Sequence, residues 1–551
     1  MTRLRAKINR PKSVTPITEN IKAQAHPAHY LMHKYWGRKP HNVIKDYILN
    51  HTNPGDTVLD PFMGSGVTII ESVKNNRRAI GVDLNPIACF IVQNTLDKWN
   101  EGGFLKTFNR IFNKNLKRFS VFYNTKCPNC KTISTLENSI WENDFLVKIK
   151  GRCPKCGLFK KNADNFDQEV YKKSTALFKK LDKANRLYYP KDEVLKYVKR
   201  NGKSHLNEFF SERALLILGT LIKDINEVRD KKIKNLLLMC FTSMLPNVSK
   251  MIPGNKETVN GRSGWVISKL WAPKIHTEKN IFTSFSGRFN KIRTGKSEVV
   301  DMVNPGRAKI SNSSADNLGT IKSKSIDYIF TDPPYGDSIA YFGLSMFWNA
   351  WLGRKVNYEK EIIYDPYRNK KYEDYGSKMN LVFKELFRVL KDKRYLSFTF
   401  HNRNLNIWKA VMDAVRDSGF YIDSVVYQEQ AVASGTQGLN RKNTLRGDFV
   451  YNLRKDIDRI PPTIKDIQDA ESLIIRNVNN WINNKGGYIT PDTLYSKLIP
   501  LLVDNNAYTD KMGRVVDIEK ILKNNFKYNP ISDNGISYYA WQNIYKRAYS
   551  Y

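Results

Sequence analysis

Residues 57–68 read TVLDPFMGSGVT and residues 77–84 read RRAIGVDL. In the first stretch a short apolar run ends on an acid, Asp60, and passes into a turn that holds Gly64 and Gly66. Such a run reads as a buried strand, and the pattern from about Val67 to Lys74 reads as a helix. Glycine lets the chain bend tightly and approach a ligand, and the helix start offers free N–H groups. The second stretch is another strand, ending in Gly81-Val82-Asp83, and Pro86 suits the first residue of a further helix. Asp83 follows the glycine loop by about 20 residues, where an acid can hydrogen-bond a ribose hydroxyl pair. Thr68 and Ile69 follow Gly66, so the GxGxxG pattern is absent and NAD is disfavoured. An ordinary tight turn and a solvated strand-end carboxylate are the alternatives that these residues leave open.

Working outward, NPGD at 53–56 is a turn preceded by a helical pattern around Val43 to Leu49. The βαβ rhythm of residues 40–98 breaks at about 100 and resumes at about 308 with AKISNSSA and IDYIFTDPPY. A helix near Leu381–Leu390, the strand YLSFTF, a helix over about Leu405–Asp417 and strands near 420–427 and 448–453 complete it. Two half-domains of one type around a dissimilar insert imply a single discontinuous, doubly wound α/β core. The expected organisation is a flexible basic arm over 1–20, core halves over 21–100 and 305–455, and an insert over 101–304. Residues 456–551 read as a separate, mainly helical C-terminal domain.

SIDYIFTDPPYGDS, at 325–338, is a strand with an acid immediately beyond it, at the carboxyl edge where open α/β sheets bind ligands. Pro333 and Pro334 fix the backbone and remove two N–H donors, which leaves carbonyls as acceptors and holds Tyr335 at a set angle. The Asp332 carboxylate and the Pro333 carbonyl can together accept the two protons of an amine on a planar base, with the Tyr335 ring stacked on that base. A rigid Asp-Pro turn is the plainer reading of the tetrapeptide alone.

DPFMGSGVT, GVDLNP and TDPPYG together resemble the amino-group DNA methyltransferases. HYLMHKYWGRKPHNVI at 29–44 and DPPYGDSIAYFGLSMFWNAWL at 332–352 are similar to adenine-specific DNA methylases that contain a zinc ribbon. The resemblance implies a class I methyltransferase (Rossmann-like) core that uses S-adenosylmethionine. It implies that Asp60, Phe62, Gly64 and Gly66 line the methionine end of that cofactor, that Asp83 binds its ribose and that Asp316 lies near its adenine. Asp332, Pro333, Pro334 and Tyr335 would hold the target base, and Tyr35 and Trp36 either flank the cofactor or pack in the core. Aspartate ahead of PPY leans toward N6 of adenine. N4 of cytosine, an RNA substrate and a non-enzymatic DNA-binding subunit are the alternatives, in that order. No Pro-Cys dipeptide supplies the thiolate that cytosine-C5 methylation requires.

CPNC and CPKC place Cys127, Cys130, Cys153 and Cys156 as two knuckles. Four thiolates at this spacing make a closed tetrahedral site, read as a structural zinc ribbon over about 120–160. Cys89 and Cys240 sit in apolar helix patterns and read as buried hydrophobes.

The 551 residues carry 90 Lys+Arg against 53 Asp+Glu, a formal charge of +37. That excess favours a polyanionic partner, double-stranded DNA in this context. The basic N-terminus lacks the apolar region of a secretory signal, and no run approaches the about 18–20 apolar residues of a membrane span. A cytoplasmic protein is expected, with restriction or phage-defence proteins as possible partners. Two segments are candidates for reading bases. One is 254–300, with Trp265, Trp271, Phe282 and Phe285 among polar and basic residues, and the other is 431–448.

Overall fold

In the computed structural model, residues 15–199, 203–257, 259, 265, 269–336, 339–402, 404–429, 447–456, 470–484, 486–505, 507, 516–533 and 536–544 are described. The centre is a seven-stranded sheet of β1 (Thr57–Asp60), β2 (Arg78–Val82), β3 (Ala308–Ser311), β4 (Ile326–Thr331), β5 (Leu390–Phe400), β6 (Tyr421–Glu429) and β7 (Gly447–Arg454). Their order is β6-β7-β5-β4-β1-β2-β3. β7 runs antiparallel to both neighbours and the other pairings are parallel. The two halves of the chain meet in this sheet, where Val58 faces Tyr328 and Leu59 faces Ile329. Every residue of β4 is buried, as expected of a central parallel strand covered on both faces.

Helices α1 (His41–His51) and α2 (Val67–Lys74) cover one face, packing Tyr47, Ile48 and Ile70 against Val58, Tyr328 and Phe330. Helix α3 (Pro86–Leu96) follows β2, and α4 (Tyr341–Asn349) follows the DPPY segment. Helices α5 (Tyr372–Val389) and α6 (Leu405–Asp417) cover the other face over Ile329, Leu396 and Phe398. Strand order reverses between β1 and β4, because the chain proceeds from β1 to β2 and β3 on one side and from β4 to β5 on the other. Open α/β sheets bind ligands at such a switch point.

The insert holds a five-stranded antiparallel sheet of residues 124–126, 133–142, 145–153 and 157–162, with 275–279 paired to the outer side of 133–142. Helices flank it at Glu101–Phe119, Asn165–Lys183, Glu212–Asn226, Lys231–Met244 and Ile281–Val299. Its apolar core continues into Ile87, Phe90, Phe347 and Trp348 of α3 and α4. NPIACFIV of α3 is apolar on nearly all sides, as befits a helix buried between the sheet and the insert. Lys296, buried on the last insert helix, donates to the carbonyls of Asn94 and Thr95 at 3.0 and 2.9 Å. Its ammonium thus answers orphan carbonyls at the end of α3.

One expectation for base recognition is overturned. Phe282 and Phe285 lie buried on the helix Ile281–Val299, Phe285 at 5.1 Å from Phe108 and Phe282 edge-on to Phe112 at 5.9 Å. Trp265 packs edge-on against Trp36 and Trp348 at 5.0 and 5.6 Å. These aromatics form core and present no surface to a base. Buried positions 282, 285, 289, 292, 296 and 299 recur at three and four residues, a helical period that the surrounding Lys, Arg, Ser and Thr obscure. Residues 258, 260–264 and 266–268 of this segment, and 431–446 of the second candidate, lie outside the described residues.

The C-terminal region contains the expected helices, at 470–484, 491–504 and 518–525, and also an antiparallel hairpin of Phe526–Asp533 with Ile536–Asn543. The aromatic and β-branched content of ISYYAW and FKYNPI favours strands there. Leu473, Ile474, Leu498 and Leu522 join the apolar core beneath α5 and α6.

Arg213 ties the insert together. Its guanidinium donates from Nε and Nη2 to Glu278 Oε1 at 3.0 and 2.8 Å, from Nη2 to Ser139 Oγ and from Nη1 to the Phe122 carbonyl, both at 3.2 Å. Removing one member of a buried pair strands the other, at a cost of about 3–5 kcal/mol. Arg213→Met is therefore expected to lower stability to urea by about that amount, with Arg213→Met/Glu278→Gln recovering part of it; chemical denaturation measures both.

Candidate active site

Four strand ends and one strand start meet at the same edge of the sheet. β1 ends on Asp60, β2 is followed by Asp83, β4 by Asp332 and β5 by His401. Because β7 is antiparallel, its second residue, Asp448, lies at that edge too, next to Phe449, which pairs with Phe400. A cavity of about 970 Å³, open to solvent, runs along this edge, lined by Asp60, Phe62, Gly64, Asp83, Asp332 and Pro334 among others. Tyr35, Trp36, Arg38 and Lys39 of HKYWGRKP close it from one side, and Tyr341 and Ile362 from another.

The glycine loop is shaped for this place. Gly64 has φ +49°, and a Cβ there would stand 3.1 Å from the Tyr35 ring. Its N–H donates to Asp83 Oδ2 at 2.9 Å, while the Asn85 N–H donates to Asp83 Oδ1 at 2.8 Å. Gly66 has a different reason to be glycine. It caps α2 with φ +79°, and a Cβ would come within 2.5 Å of Val92, so it serves the packing of α2 on α3 and does not line the cavity. Burial pushes the Asp60 carboxyl up to about 7, against hydrogen bonds from Thr331 Oγ1 at 2.7 Å and the Phe62 N–H at 3.1 Å. Burial likewise raises Asp83 to about 6, partly offset by the N–H groups of Asn85 and Gly64.

At the DPPY turn Tyr375 Oη donates to the Pro334 carbonyl at 2.6 Å and Asn402 Nδ2 to the Tyr335 carbonyl at 2.7 Å. Among the described residues no donor stands against the Pro333 carbonyl. Thr399 of β5 donates to Asp332 Oδ1 at 2.6 Å, and the Tyr335 ring lies edge-on to Phe400 and His401, each at 5.2 Å. Burial raises the Asp332 carboxyl above its usual range, with the Lys39 charge opposing that rise.

Of the residues read from sequence, the fold brings Asp60, Phe62, Gly64, Asp83, Asp332 and Pro334 onto one cavity, with Pro333 and Tyr335 beside it. Asp316 is displaced from the lining: Ser314 and Ala315 face the cavity, whereas Asp316 pairs with Lys378 at 2.9 Å. The four cysteines converge, their sulfurs all within 4.8 Å of one another, a group able to hold a metal ion. Cys240 is buried and Cys89 partly so. Sequence reasoning missed Lys39, His401 and Asp448. His401 had a signal, since it stands at the carboxyl end of a parallel strand.

A family model described as DNA methylase matches residues 11–94 and 326–500, the two stretches that build this edge. Over those stretches the chain is similar to DNA methylases. It is 24% identical to the type II methyltransferase M.MjaII of Methanocaldococcus jannaschii over 56% of its own length and 59% of that protein. A shorter stretch is 42% identical to the DNA adenine methyltransferase YhdJ of Escherichia coli, over 10% of this chain and 20% of that one. The orphan methyltransferase M.BamHII of Bacillus amyloliquefaciens is 40% identical over 11% of this chain and 23% of its own length. The chain thus spans less than two thirds of each of these relatives. No described helix is long and apolar enough to cross a membrane.

The buried Asp60 carboxyl has a measurable consequence in the protein without ligand. Its folded value, about 7, lies above its unfolded one, so the stability it contributes is full at low pH and is lost as pH rises through that value. Asp60→Asn is expected to gain in melting temperature over the parent as pH rises from about 4, the gain levelling off above about 7. A gain that is the same at pH 4 and pH 8 in calorimetry would contradict this account.

Proposed function

We propose that the chain transfers a methyl group from S-adenosylmethionine to the exocyclic N6 amine of adenine in double-stranded DNA. The observation that carries this reading is the pairing of a carboxylate and an open carbonyl, Asp332 and Pro333, at the edge of the cavity that Gly64 and Asp83 shape. The residues fit the cofactor. Asp83 is held by two backbone N–H groups in position to accept ribose hydroxyls, Asp60 offers a carboxylate to the methionyl ammonium, and Tyr35 and Phe62 supply apolar walls. When bound, S-adenosylmethionine supplies an electrophilic methyl group whose sulfonium leaves as a neutral thioether.

The amine of adenine is a weak nucleophile because its lone pair is delocalised into the ring. Hydrogen bonds from its protons to Asp332 and to the Pro333 carbonyl localise that pair, and both acceptors stabilise the positive charge that develops on nitrogen. The Tyr335 ring offers a stacking surface to a base turned out of the duplex, offsetting part of the cost of unstacking. Positioning supplies the remainder, without a covalent enzyme intermediate, and the methylated nitrogen then releases one of its protons to solvent to give the neutral product. The charge of +37 suits a phosphate backbone. Adenine is favoured because aspartate precedes PPY and because one relative is named a DNA adenine methyltransferase. Asp316 is assigned to the cofactor's adenine end through its neighbours Ser314 and Ala315. The four cysteines are proposed to hold a structural zinc, since four thiolates leave no open position for catalysis.

Unmethylated plasmid incubated with labelled S-adenosylmethionine is expected to yield N6-methyladenine on nucleoside analysis. Asp332→Ala should lose about 100-fold or more of the rate. N4-methylcytosine would change the base and keep the chemistry, whereas full activity of Asp332→Ala would sink the mechanism. Elemental analysis should find one zinc per chain, lost together with thermal stability in Cys127→Ser/Cys153→Ser.

A further inference from the structure

Lys39, which the proposed chemistry above does not use, is a buried cation aimed at the catalytic turn. It is the penultimate residue of the HKYWGRKP segment, directly before the Pro40 that caps α1, and its side chain is 10% exposed. Its Nζ donates to Asp448 Oδ2 at 2.7 Å and to Tyr335 Oη at 2.8 Å, and lies 3.2 Å from Asp332 Oδ1. The same ammonium stands 4.8 Å from the centre of the Tyr335 ring. Asp448 is held in turn by His401 Nδ1 at 2.6 Å and by Tyr335 Oη at 3.2 Å.

We propose that Lys39 is a positioning residue for methyl transfer: its ammonium fixes the Asp332 carboxylate and the Tyr335 ring in the geometry that receives the base amine, and Asp448 anchors that ammonium. The inference rests on the methyltransferase reading and assigns work to residues outside the DPPY tetrapeptide. Burying an ammonium costs several kcal/mol, and a single carboxylate with good hydrogen bonds is enough to answer it. Here a second contact goes to the oxygen of the carboxylate that must orient the amine. Asp332 Oδ1 therefore receives Thr399 from one side and Lys39 from another, which sets the plane of the carboxylate. Contact with both the hydroxyl and the ring face of Tyr335 limits its rotation. Two carboxylates against one ammonium leave Asp332, Asp448 and Lys39 with one net negative charge between them, which suits a nitrogen that becomes cationic in the transition state.

The charged and titratable groups around Asp332 are Lys39 from the loop before α1, Asp448 of β7, Tyr335 beside it, Tyr341 of α4 and Asp60 of β1, with His401 at the end of β5 against both Asp448 and Tyr335. Lys39 opposes the upward push of burial on Asp332. Loss of Lys39 therefore shifts the acid limb of the rate profile to higher pH, an effect that loss of packing alone does not produce.

The test compares the full-length parent with Lys39→Met and Lys39→Met/Asp448→Asn, the double variant removing the stranded carboxylate charge so that folding is preserved. The readouts are S-adenosylmethionine affinity by calorimetry and kcat on unmethylated plasmid between pH 6 and 9. Both variants are expected to bind S-adenosylmethionine within about threefold of the parent and to lose about 100-fold in kcat, while Lys39→Met alone shows the acid limb moved up by about one pH unit, a shift that removal of the Asp448 charge offsets in the double variant. A double variant that binds the cofactor and keeps kcat within about threefold, together with an unmoved acid limb in Lys39→Met, overturns the proposal. Absence of any methyl transfer by the parent overturns the methyltransferase reading and this inference with it, so the two failures are told apart.

Discussion

A parallel sheet whose strand order reverses must open a crevice at the reversal, and the chemistry of this protein depends on that opening between β1 and β4. On one side of it the chain places Asp60 and Asp83 at the ends of β1 and β2, and on the other Asp332 at the end of β4. The carboxyls share a cavity because the strands are in register, with Asp60 opposite Gly81 and Leu59 opposite Ile329. Thr331 stitches the two sides with its hydrogen bond to Asp60. A slip of one residue in this pairing would turn these side chains to the opposite face of the sheet.

Gathering acids at a partly dry edge is costly, and the fold meets that cost in two ways. Asp60 and Asp83 are left with raised carboxyls, uncompensated by any close cation among the described residues, which suits a site that is to receive a positively charged ligand. Asp448 is instead held far below the usual carboxylate range, because Lys39 and His401 outweigh its burial. Burial alone would lower Lys39 as well, yet Asp332 and Asp448 outweigh it and the ammonium is strengthened. The edge is thus divided into a half that awaits charge and a half already compensated.

The doubly wound core was legible because its two halves carry periods and punctuation that depend on local physics: apolar runs ended by acids, Gly64 at positive φ, and Pro86 opening α3. The cysteine knuckles were legible for the same reason, since ligand spacing is local. The insert's aromatics were not. Phe282, Phe285 and Trp265 look like a contact surface when surrounded by lysines and serines, and only their packing against Phe108, Phe112 and Trp36 identifies them as core. The C-terminal hairpin was likewise overshadowed by the helices beside it, because its strands gain their pairing only from each other.

The amino-acid sequence by itself determined the α/β rhythm, the discontinuity of the core, the glycine loop with Asp83 and the DPPY turn. Each is a property of a dozen or so neighbouring residues, and backbone preference and side-chain period act over that range. Tertiary structure alone decided which groups surround Asp332. Lys39 lies 293 positions before it and Asp448 lies 116 after it. They meet because α1 begins beside the sheet edge and because β7 runs antiparallel, so that the start of one strand falls level with the ends of the others.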